Sequence, residues 1–137
     1  MYNCRMIKSR LFQQTLLLLF LVAALNFIDD TFYLYLSVPW VDTILHFFAG
    51  SSVGMASFLV LGHFSAFSEF GKTKKIILAV TVGLSVGLLW ELYELYFGIT
   101  FWSDGILYFK DTASDLSMDI VGSLAGALYS LKLINNK

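Results

Sequence analysis

The chain has 137 residues, 58% of them hydrophobic and 14% charged, with a single proline and a mean hydropathy of +0.74. That balance excludes an ordinary soluble domain, and a net charge of −1 offers no bulk attraction for nucleic acid. Cys4 is the only cysteine, which excludes an internal disulfide, and it precedes the first apolar run, so a lipoprotein-type cysteine behind a signal segment does not fit.

A membrane span needs about 20 mostly apolar residues, so the chain has room for one transmembrane domain, residues 1–137, with four spans. The first, about 11–28, follows Arg5, Lys8 and Arg10 and leads into Asp29, Asp30 and an aromatic stretch with Tyr33, Tyr35 and Trp40. A cleaved signal segment ending near Val22 and Ala24 is the alternative, and the length of the apolar run argues against it. The second span is about 43–63, the third 76–97 and the fourth 116–134, with Pro39 and Gly71 as breakers in the connections. The expected fold is therefore all-α, an integral membrane four-helix bundle.

Basic residues set the orientation, since positively charged flanks stay in the cytoplasm. Arg5, Lys8, Arg10, Lys72, Lys74, Lys75, Lys132 and Lys137 fall on one side, and only Lys110 falls on the other. Both termini are expected inside (N-in/C-in). All ten acids but Glu69 lie on the opposite side, toward which Trp40, Trp90, Tyr93, Tyr96, Trp102 and Tyr108 also fall, as an interfacial belt would.

The acids follow a helical spacing. On span two, Asp42 and His46 are four apart, and the same face continues through Gly50 and Gly54. Span three carries Gly83 and Gly87, then Glu91 and Glu94. Span four opens on Asp111, Asp115 and Asp119, each four apart, and continues through Gly122 and Gly126. Small residues let helix backbones approach closely in lipid, so packing the glycine stripes within the monomer would bring the polar ends together. At about 1.5 Å per residue, His46, Glu91 and Asp119 reach comparable depths.

An ionised carboxylate facing lipid costs about 2.5–3.5 kcal/mol, so these groups should face the bundle interior. The one basic residue within these bounds, Lys132, lies at the far end of span four, so the charge must be met by protons or by a bound cation. Oxygen ligands with one imidazole suit Mg²⁺, Mn²⁺ or Zn²⁺. The metal candidates are Glu91, Asp115, Asp119, Asp42 and Asp111, and the candidates for proton transfer are His46 and Glu94. For Asp42, Asp111 and Asp115, capping of a helix N-terminus is an equal reading.

The runs DTILHFFAG at 42–50, WELYE at 90–94 and DTASDLSMDIVGSLAGA at 111–127 resemble the YjdF-like family of small bacterial inner-membrane proteins and, more distantly, the VanZ-like family. The resemblance covers spans two to four and implies a multi-pass membrane protein with its polar residues at Asp42, His46, Glu91, Glu94, Asp111, Asp115 and Asp119. It implies no particular reaction. VanZ-like proteins usually carry glutamine and arginine after the glutamate, whereas this chain has Glu94 and no arginine there.

Three functions fit the pattern. The first is a metal-dependent enzyme acting on a lipid or lipid-linked substrate at the outer leaflet, with membrane lipids as its partners. The second is a cation- or proton-coupled transporter subunit, which four short spans would make a homo-oligomer. The third is an accessory protein whose polar cluster only holds the bundle together.

Overall fold

A computed structural model describes the backbone of residues 2–32, 38 and 40–135, and side chains from residue 10 onward within these ranges except at 30. Tyr33, Tyr35, Pro39 and Lys137, and the side chains of Cys4, Arg5, Lys8 and Asp30, lie outside the described part. The described residues form helices and no strands: α1 Tyr2–Phe32, α2 Trp40–Leu61, α3 Ser65–Glu69, α4 Lys72–Phe97 and α5 Ile106–Asn135, with one 3-10 turn at Trp102–Asp104. All but α3 are long and apolar enough to cross a membrane.

The long helices extend past the apolar runs. Helix α5 begins at Ile106, directly after Gly105, so Asp111 and Asp115 lie one and two turns inside it. Neither can cap that helix, which corrects the capping alternative for both. Asp42 does sit in the first turn of α2, where its charge meets the positive end of the helix dipole. Helix α4 stops at Gly98, whose φ of 70° suits a residue without Cβ; its N–H bonds back to the carbonyls of Glu94 and Leu95. Tyr108 is buried against Trp102 and Phe109 and does not belong to an exposed belt.

Helices α2 and α5 run parallel and form the most extensive contact in the bundle. Glycine makes their approach possible. A Cβ at Gly50 would lie 2.5 Å from the backbone oxygen of Asp119, and one at Gly54 would collide with the carbonyl of Ser123. From the other side, Gly122 faces the carbonyl of Phe47 and Gly126 that of Ser51. Helix α4 joins this pair with Gly83 against the Ser123 side chain and Gly87 against the Asp119 carboxylate. Lipid gives helices no hydrophobic reason to associate, so such close packing and interhelical hydrogen bonds must hold them; Ser123 Oγ donates to the Gly50 carbonyl at 3.2 Å.

Below the glycines, Leu11, Met55, Phe58, Phe67, Ala79 and Ala127 form an apolar core. The short α3 supplies Phe67, which meets Phe58 edge to face at 5.5 Å, with Lys75 Nζ 5.3 Å from the Phe67 ring centre. Helix α1 is held least. Among its described side chains only Leu11, Thr15 and Asp29 are buried; it packs mainly on α2, slightly on α5, and not along α4.

Replacing Gly122 with alanine should therefore destabilise the bundle by about 1–3 kcal/mol, because its Cβ meets backbone rather than a movable side chain. Thermal unfolding in detergent measures this. Gly71→Ala is the control, since nothing lies within 4 Å of its Cβ position.

Candidate functional site

The site grows out of the seam between α2 and α5. Residues 73 apart face one another along it: Asp42 with Asp115, His46 with Asp119, and Gly50 with Ser123. The polar ladder thus continues the glycine ladder, four residues per step on both helices. His46 Nδ1 lies 3.1 Å from Asp119 Oδ2, and Nε2 lies 3.8 Å from Asp42 Oδ1. With Asp119 ionised, its oxygen can only accept, so Nδ1 carries the proton and Nε2 is left facing Asp42.

Helix α4 closes the third side. Thr112 Oγ1 on α5 donates to Glu91 Oε2 at 2.7 Å, while Trp90 Nε1 donates to Glu94 Oε1 at 2.8 Å within α4. These carboxylates lie deep inside the protein: Asp115 is 2% exposed, Asp119 3% and Glu91 5%. Two of their oxygens, Asp115 Oδ1 and Glu91 Oε1, have no hydrogen-bond partner among the described residues. Buried carboxylate oxygens are normally satisfied, and leaving one bare is costly.

Of the predicted metal residues, Asp42 and Asp115 come together, joined by His46. One ligand atom from each of these three lies within 4.8 Å of the other two, which makes a group able to hold a metal ion. Asp119 is adjacent but engaged with the imidazole. Glu91 is tied to Thr112, and Asp111 is exposed one turn nearer the start of α5. Spacing of charged and small residues does not single out Thr112; its place next to Asp111, in an Asp-Thr pair like Asp42-Thr43, is the available signal.

Two cavities adjoin the group. One of about 430 Å³ has walls of Leu19, Val22, Phe27, Val53 and Val86, and ends on Asp42, His46 and Asp119. The other, of about 240 Å³, is lined by Asp29, Asp42, Glu94, Asp104 and Asp111 together with Trp90 and Tyr93. Asn26, Asp42 and Trp90 border both.

Thr112→Val should leave Glu91 Oε2 without its donor and cost about 1–3 kcal/mol of stability, whereas Thr112→Ser should retain it. Thermal unfolding of the two variants in the same detergent compares them.

No curated protein and no solved structure matches the chain. A family model described as a predicted membrane protein (DUF2238) matches residues 4–136, which includes span one and all the polar residues of the site. The chain therefore belongs to this DUF2238 family of predicted membrane proteins.

Proposed function

We propose that the chain is a membrane-embedded enzyme that holds a divalent cation on Asp42, His46 and Asp115 and acts on a lipid or lipid-linked substrate. The observation that carries this reading is Asp115 Oδ1, a buried carboxylate oxygen without a partner among the described residues, within the group whose ligand atoms gather inside 4.8 Å. Mg²⁺, Mn²⁺ and Zn²⁺ bind such oxygens at about 2.0–2.2 Å, so small side-chain rotations would close the group around an ion. When bound, the cation supplies a Lewis acid for a phosphate or ester oxygen.

The remaining residues divide the work. Asp119 fixes the tautomer and orientation of His46 through Nδ1, a carboxylate–histidine arrangement typical of metal ligands. This makes His46 a ligand rather than the proton carrier suggested by its sequence position. Proton transfer falls to Glu91, whose Oε2 is held by Thr112 while Oε1 stays open, and to Glu94 at the wall of the polar cavity. In the orientation expected from the basic flanks, the site serves the outer leaflet of a bacterial inner membrane.

A transport role needs a route to the opposite face. Beyond the site, Gly54 and Gly126 bring α2 and α5 into backbone contact, and Leu11, Met55 and Phe58 fill the space after them. That closed end favours a site reached from one side.

Plasma mass spectrometry of purified protein tests the proposal. About one divalent cation per chain is expected, lost in Asp115→Asn and bound about 10–100-fold more weakly in Asp119→Asn. Absence of Mg²⁺, Mn²⁺ and Zn²⁺ from folded wild-type protein after supplementation would overturn it.

A further inference from the structure

We infer that a zwitterionic, amine-headed membrane lipid binds with one hydrocarbon chain in the apolar cavity and its headgroup in the acidic one, reaching both through the gap between α1 and α4. The inference deepens the reading above by naming the substrate class, and it rests on that reading for the role of the bound lipid.

The gap follows from the packing. Helices α1 and α4 both line the apolar cavity, yet α1 leans on α2 and is not packed along α4. The cavity walls on either side are open to the surroundings, with Phe27 71% and Val86 43% exposed. All the lining residues belong to the four spanning helices, so the medium at this opening is hydrocarbon. A space of about 430 Å³ falls within the usual size of a ligand site. Water has little to bond along its apolar wall, whereas a lipid tail is as apolar as the leucine and valine that form it.

The polar end selects the head. Asp42 and Trp90 stand where the apolar cavity meets the acidic one, so a chain in the first places its headgroup beside the second. Among the described residues, five carboxylates line that compartment, and neither lysine nor arginine does. An ammonium group complements this charge, and the stacked rings of Trp90 and Tyr93, 5.2 Å apart, offer it an aromatic face. Without a bound cation, an anionic head that lacks a cationic group has no such complement to these carboxylates.

Trp90 reports on the site directly. A variant with Trp40→Phe and Trp102→Phe leaves it as the sole tryptophan, and phosphatidylethanolamine brominated on its chains quenches indole fluorescence at short range. In nanodiscs, quenching of Trp90 should fall at least twofold when Ala49→Phe fills the cavity from α2, and should stay unchanged with Leu128→Phe on the outer surface. Val22→Phe, which fills the cavity from α1, is the second variant should Ala49→Phe not give monodisperse protein. Brominated phosphatidylglycerol should quench at least twofold less than the ethanolamine lipid. Equal quenching in filled and unfilled proteins would place the lipid only around the bundle and overturn the proposal; equal quenching by the two lipids would overturn the headgroup assignment. Running the series in chelator and in Mg²⁺ separates this result from the metal reading: quenching that survives in chelator stands even if no cation is bound.

Discussion

The parallel contact between α2 and α5 is the constraint from which the rest of the molecule follows. Backbone meets backbone at Gly50, Gly54, Gly122 and Gly126, and no side chain fits between them. Such a seam admits one register. A slip of one turn would set Gly50 beside a different carbonyl and, one step along, exchange the partner of His46 from Asp119 to Asp115 or Ser123. Because small residues and polar residues repeat with the same period of four on both helices, the packing that stabilises the lower half also sets the geometry of the upper half. Structure and chemistry share one ladder.

Burying Asp115, Asp119 and Glu91 in that upper half works against stability unless each is compensated. Asp119 is compensated by the imidazole, and one oxygen of Glu91 by Thr112. Ser51, Ser57 and Ser130 do not donate to the remaining oxygens; each turns its hydroxyl onto a carbonyl of its own helix. Asp115 Oδ1 and Glu91 Oε1 remain without a hydrogen-bond partner among the described residues. A purely structural polar network gains nothing from such atoms. A ligand that supplies positive charge or protons gives them a purpose.

The spacing of four along spans two and four reveals which residues share a face, and hydropathy reveals how many helices there are, so the bundle and the membership of its polar end are legible from the sequence. Which pairs actually meet is not. Facing Asp42 toward Asp115, rather than toward Asp111 or Asp119, depends on the axial offset of two helices, and that offset is fixed by which glycine meets which carbonyl. The start of α5 was hidden for a related reason. Hydropathy marks where the chain becomes apolar, at about Leu116, whereas the helix begins where Gly105 ends the preceding turn, ten residues earlier. Carboxylates inside a helix lower its mean hydropathy without breaking it. The short α3 and its Phe67 are not legible, because five residues give too little periodicity to read.

The uneven packing of the four long helices separates stability from access. The α2–α5 seam and the α4 glycines behind it form a rigid wall that carries every ligand candidate. Helix α1 contributes mostly Leu11 and Thr15 at one end and Asp29 at the other, leaving its middle turns against the apolar cavity. None of the glycine contacts includes α1, so its position does not set the register of α2 on α5. Changes in the middle of α1 would then alter what reaches the carboxylates, while changes in the seam would alter the carboxylates themselves.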